Sequence, residues 1–199
     1  MASVPVLPLG VAAWERVVSI MAEVRERLLK VTAALEAGGV PYAVIGGNAV
    51  AHWVGRIDKA AVRLTQDVDL LMRRSDLDRA RAVLEAAGFF YHESLDVHMF
   101  FDNPTASARE AVHVLFSGEK VQQDYLAPTP EVAESEAGEE YRVLNLEALI
   151  RMKLTSYRRK DQVHILDVIG VGLIDASWVN RYPPELAARL QELLDDPNG

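Results

Sequence analysis

Apolar residues recur at helical spacing through residues 14–37, WERVVSIMAEVRERLLKVTAALEA, and the run stops at Gly38-Gly39, a pair that ends helices. PYAVIGG follows as a short buried strand running into a second glycine pair. NAVAHWV then reads as a helix, GRIDKAAVR as a polar loop, and QDVDLLM as the next strand. SDLDRARAVLEAAG predicts a helix with Ser75 as N-cap, Asp78 in the capping-box position and Gly88 past its end. Two further strands, 97–101 (VHMFF) and 111–116 (AVHVLF), flank the turn segment DNPTASARE. Residues 127–140, APTPEVAESEAGEE, are acidic and rich in Ala, Pro and Glu, and form the best linker candidate. Beyond them come a brief strand RVL, a helix at 146–157 capped by Asn145, a helix over roughly 161–171, and a closing helix in PPELAARLQELLDD. The order predicts an α/β (α+β) protein: a mixed β-sheet flanked by helices in residues 1–126, then the linker and a helical C-terminal lobe in 127–199.

Composition narrows the chemistry. Of 199 residues, 50% are hydrophobic and 25% charged, the balance of a chain that buries a core. There is no cysteine, which excludes disulfides and thiolate chemistry and suits a cytoplasmic location. The opening MASVPVLPLGVAAW lacks the basic leader of a signal peptide, and no stretch reaches the roughly eighteen uncharged apolar residues of a membrane span. The formal charge of −8 argues against a broad DNA- or RNA-binding surface.

Within QDVDLLM, Asp67, Asp69 and Leu71 share one face of the strand, while Val68, Leu70 and Met72 face the opposite way. Two carboxylates this close repel unless a cation lies between them, and hard divalent ions such as Mg²⁺ prefer carboxylate oxygens. In a purely structural arrangement, both aspartates would instead cap loops or pair with Arg63, Arg73 or Arg74 at a strand end. Gly46-Gly47 sits at a strand-to-helix turn, where backbone can approach a ligand and free N–H groups favour phosphate. A phosphate cradle and a carboxylate pair are the two halves of a metal–nucleotide site.

This ordered set, IGGNAVAHWVG followed by RLTQDVDLL, resembles the DNA polymerase beta-like nucleotidyltransferase superfamily, and more closely its small bacterial AbiEii-like members. LNLEALIRMKLTSYRRKDQVHILDV resembles the C-terminal helical segment of the same proteins. The likeness spans roughly residues 40–171. It implies transfer of a nucleoside monophosphate from an NTP to an RNA or protein hydroxyl, assisted by two Mg²⁺ ions and set in a toxin–antitoxin or phage-defence system. By position, Asp67 and Asp69 would ligate metal, and Gly46, Gly47, Asn48, Arg63, Thr65 and Lys153 would bind the nucleotide. The implied partners are the NTP, and a tRNA or the partner protein of a two-component system.

One departure stands out. The family's third carboxylate falls on the strand AVHVLF, where this chain carries His113. Imidazole could act as a base near neutral pH but is a poorer Mg²⁺ ligand than carboxylate. Glu110 or Asp102 could supply the oxygen from nearby, or catalysis could be lost, leaving a protein that binds a nucleotide or partner without turnover. His164 likewise replaces an acidic residue. The run Arg151, Lys153, Arg158, Arg159 and Lys160 reads as a solvated face or as a grip for phosphate. Trp14, Trp53 and Trp178 read as helix packing, and His52 and His98 as ordinary helix and strand residues.

Overall fold

The computed structural model describes residues 10–197; residues 1–9, the greater part of the opening segment judged above, lie outside the described residues. The chain begins with α1 (Val11–Ala37), whose buried positions Val24, Leu28, Val31 and Leu35 repeat at intervals of three and four and so form one stripe. Gly39, at φ +62, turns the chain out of the helix. β1 (Ala43–Ile45) runs directly into α2 (Gly46–Gly55). β2 (Val68–Met72), α3 (Leu77–Ala86), β3 (Phe90–Ser94), β4 (Val97–Phe101) and β5 (Val112–Phe116) follow, and then β6 (Ser135–Ala137) and β7 (Arg142–Leu144). Three helices close the chain: α4 (Leu146–Ser156), α5 (Arg159–Gly170) and α6 (Pro184–Asp195).

All seven strands form one sheet in the order β3-β4-β5-β2-β1-β7-β6. β2 pairs antiparallel with β1 and parallel with β5, so the expected mixed sheet of these three strands is present. Alternation along each strand divides the core into two layers. Val68, Leu70 and Met72 of β2 join Val112, Val114 and Phe116 of β5 against α1 and α3. On the other face Ala43, Ile45 and Leu71 pack with Leu149, Leu154, Ile165 and Leu190 of the C-terminal helices. Asp69 and His113 belong to this second face, under α2, α4 and α5. Among the described residues no helix is long and apolar enough to cross a membrane.

Several local expectations change. α3 starts at Leu77 with Asp76 at the N-cap position, and Ser75 lies in the preceding 3-10 turn without capping anything. The turn draws Asp76 toward Arg73, whose Nε donates to it at 2.7 Å. β3 had no counterpart in the hydrophobic pattern, because FYHES is an edge strand with four of five residues exposed or nearly so. The stretch 127–140 contains a helical turn at Val132–Glu134 and strand β6, which pairs antiparallel with β7. Asn145 caps α4 as expected, its Oδ1 accepting from Ala148 N at 2.8 Å. Trp53 packs as expected and donates to Leu144 O at 3.1 Å, whereas Trp14 is 60% exposed.

Candidate active site

The register of three strands builds the site. β1 places Ile45 opposite Asp69, so the turn after Ile45 passes directly over the Asp69 side chain. A Cβ on Gly46 would lie 1.9 Å from Asp69 Oδ2, and Gly46 itself holds φ +66. Only glycine fits both conditions. A Cβ on Gly47 would come within 2.8 Å of Thr65, whose hydroxyl in turn donates to Asp67 Oδ1. Asn48 Nδ2 donates to the Asp67 carbonyl at 2.9 Å, fastening the start of α2 to the entry of β2. The glycine pair, Asn48, Thr65 and both aspartates therefore meet at one point.

The two carboxylates differ electrostatically. Burial and then the neighbouring Asp67 charge raise Asp69 above its ordinary 3.8, against the pull of His113, Lys160 and Lys153. Burial also works to raise Asp67, but the Thr65 hydroxyl, its own backbone N–H, and the charges of Lys160 and His113 outweigh it and leave it lowered. Asp67 is thus held ionised by fixed partners, while Asp69 is a carboxylate in want of a cation.

Lys153 lies across the cleft on α4, 5% exposed, with Nζ 3.5 Å from Asp161 Oδ1. Burial lowers its pKa, opposed by the charges of Asp161 and Asp69. Asp161, almost fully buried, also accepts from Arg158 Nε at 2.7 Å and Ser156 Oγ at 2.9 Å. Burial tends to raise it, yet these donors and Lys153 keep it below the usual carboxylate range. Together these groups wall a cleft of ≈ 470 Å³ shared by Gly46, Gly47, Asp67, Asp69, Lys153 and Lys160. A narrower recess of ≈ 170 Å³ continues from it, lined by Leu115, Val121, Tyr125, Pro128, Leu149 and Met152.

Other candidates lie at the rim or are engaged elsewhere. Arg63 is exposed and forms a two-oxygen pair with Asp167 of α5, at 2.8 and 2.7 Å. His113 stands beside Asp69 in the β2–β5 register, and its Nε2 lies 2.8 Å from Ala108 O. Since a carbonyl only accepts, Nε2 carries the proton and Nδ1 keeps the lone pair in the neutral ring. Asp102 pairs with Arg27 at 2.9 Å, and Glu110 accepts from Ser107 N and Oγ at 2.7 and 2.8 Å, so neither is free to act as the third carboxylate. His164 lines the cleft with Nδ1 unpartnered, and burial followed by the Lys153 charge lowers its pKa to about 4. Asp161 was not legible as a site residue. Its one signal was a carboxylate ending the basic run 158–160, which reads equally well as a solvated charge pair.

Comparison with known proteins fits this geometry. Residues 12–152 match the family model described as uncharacterised nucleotidyltransferase. Among solved structures, the antibiotic-resistance factor ANT(2'')-Ia is similar at 19% identity and a TM-score of 0.50, covering 89% of this chain and 92% of that one. ANT(2'')-Ia in complex with adenylyl-2''-tobramycin gives a TM-score of 0.52 at 19% identity, over 82% and 94% of the two chains. An antigenic nucleotidyltransferase-like protein from Paracoccidioides brasiliensis gives 0.53 at 15% identity, over 88% of each. No curated protein matches significantly by sequence. At these identities the structures establish a shared fold, and the family match, which takes in the glycine pair and the D-x-D strand, establishes kinship: the chain belongs to this nucleotidyltransferase family.

Proposed function

We propose that this chain moves a nucleoside monophosphate from an NTP to a hydroxyl acceptor, with Asp67 and Asp69 holding Mg²⁺. One observation carries the reading: the Gly46 backbone is pressed against the Asp69 carboxylate at the mouth of a cleft whose far wall is Lys153 and Lys160. The donor set fits the ion. Two carboxylates on one strand face supply hard oxygens, and Asp69 carries the repulsion a cation would relieve. When bound, Mg²⁺ would neutralise charge on the phosphates and on the leaving pyrophosphate.

This chain's own residues do the rest. The N–H groups at the start of α2 receive phosphate oxygens. Lys153 and Lys160 face the charge that builds on pyrophosphate as the bond from the α-phosphorus to the bridging oxygen breaks. The acceptor oxygen forms the new bond to the α-phosphorus, and His113 Nδ1 takes its proton.

A second reading, nucleotide binding without turnover, draws on the engagement of Asp102 and Glu110 elsewhere. The test incubates the protein with each α-labelled NTP and Mg²⁺, in the presence of RNA or of protein lysate, beside the Asp69→Asn variant. Labelled product that requires Asp69 supports transfer. NTP-dependent thermal stabilisation without product, restored to turnover by His113→Asp, supports the reduced form. No product and no stabilisation with any NTP removes both readings.

A further inference from the structure

On the opposite face of the sheet, a second group of ligating side chains gathers at the β3–β4 hairpin. His98 pairs with Val114 in register and so faces the α1–α3 side, away from Asp69 and His113. Its side chain is 5% exposed, and Nε2 has no hydrogen-bond partner. Asp96 Oδ1 lies 3.4 Å from that nitrogen, at contact distance but without hydrogen-bond geometry. One ligand atom from each of Glu93, Asp96 and His98 lies within 4.8 Å of the other two.

The surrounding hydrogen bonds give one tautomer in which Nε2 is available. Tyr91 has one hydroxyl proton, and Glu93 Oε2, which can only accept, lies 3.1 Å from the Tyr91 oxygen. With that proton on Glu93, the 2.6 Å contact between the Tyr91 hydroxyl and His98 Nδ1 has Nδ1 as its donor. In that tautomer Nε2 keeps its lone pair, buried and facing Asp96 Oδ1, where two acceptors meet, while Glu93 Oε2 lies 4.0 Å from Nδ1. Such an arrangement, with one imidazole nitrogen held by a carboxylate-linked partner and the other free, is how proteins orient a metal-binding histidine. Two ligands roughly 2.0–2.1 Å from a tetrahedral ion lie about 3.4 Å apart, each off the other's lone-pair axis. That matches both the distance and the missing hydrogen bond between Nε2 and Asp96.

The nearby cation does not oppose the site strongly. Arg74 Nη1 lies 3.7 Å from Asp96 Oδ1, while its Nε and Nη2 donate to Glu119 at 2.8 and 2.7 Å and its plane rests 3.8 Å over Phe116, so most of its charge is directed to Glu119.

We propose that the β3–β4 hairpin holds one divalent transition ion of the Zn²⁺ type through His98 Nε2, Asp96 and Glu93, with solvent as the fourth ligand. The ion would pin the exposed edge of the sheet, independently of the nucleotidyl-transfer cleft.

The test titrates Co²⁺, then Zn²⁺, into the metal-free full chain and follows the visible absorption that tetrahedral Co²⁺ develops. The expected result is one equivalent bound and displaced by Zn²⁺, with a concentration-dependent rise in Tm. Asp96→Asn, which tolerates the φ of +61 at that position, and Glu93→Gln on the exposed strand should each weaken binding at least about tenfold. Tyr91→Phe should weaken it by roughly tenfold through loss of the tautomer lock. Asp69→Asn should leave it unchanged. Absence of the tetrahedral spectrum, a spectrum unaltered in both carboxylate variants, or one lost in Asp69→Asn overturns the proposal.

Discussion

Replacing Gly46 by alanine tests the link between glycine turn and carboxylate most directly. The new Cβ would stand 1.9 Å from Asp69 Oδ2, 2.7 Å from its Cγ and 2.9 Å from its Cβ. Swinging the carboxylate aside relieves the contacts with Oδ2 and Cγ, but Cβ is set by the β2 backbone and remains at 2.9 Å. The turn and the strand must therefore separate, and overpacking of this kind costs about 1–3 kcal/mol. Holding alanine at φ +66 adds about 1–2 kcal/mol. For a chain of this length each kcal/mol lowers Tm by roughly 2–4 °C, so a fall on the order of 4–20 °C is expected by calorimetry. A displacement of about 1 Å at Asp69 should also cut nucleotidyl transfer on the order of a hundredfold. Asp69→Ala on the Gly46→Ala background removes the two nearest atoms. It should restore part of the lost stability without restoring transfer, a non-additivity that a double-mutant cycle reads directly. A Gly46→Ala protein within about 2 °C of wild type and transferring at near its rate would refute the argument.

Three further outcomes follow from the same charges. Asp69→Asn should melt at or above wild type without metal near neutral pH and lose any stabilisation by Mg²⁺ with NTP. The raised pKa of Asp69 makes its ionised form destabilising above about 3.8, so the gain should vanish on acidification to that point. His164 titrates at about 4 in the fold rather than 6.5, so the unfolded chain takes up a proton in that window and stability drops as pH falls through it. His164→Leu should flatten this slope by something on the order of 2 kcal/mol, after allowing for partial exposure, in urea unfolding at about pH 7 and about pH 4.5. Asp102→Asn should leave transfer unchanged but destabilise by about 2–4 kcal/mol in urea unfolding, because it strands Arg27, which is 6% exposed with Nη1 already unpartnered.

Much of the fold was written in local pattern. The alternation in VDLLM and VHVLF assigned each side chain to a sheet face, because a strand's period of two leaves no freedom once one face is buried. The expectation that His113 joins Asp69 rested on the family resemblance, and the parallel β2–β5 register is what sets the two side chains on a common face. The glycine pair was also legible, since a strand running straight into a helix needs a residue free of Cβ where the turn crosses its neighbour. Local pattern failed where stability comes from a distant partner. β3 and β6 are polar edge strands, held by hydrogen bonding to β4 and β7 rather than by burial of their own side chains. Lys153 was singled out only by the family resemblance, and Asp161 looks like any solvated carboxylate; the two became paired cleft groups when α4 and α5 closed over the sheet. His98 read as an ordinary strand residue for the same reason. Its isolation from water and its approach to Asp96 are set by the hairpin's return and by packing against Phe116, 4.9 Å away between ring centres. Sequence spacing decides which face a side chain takes, but burial and the company of charges depend on which elements come to lie above it.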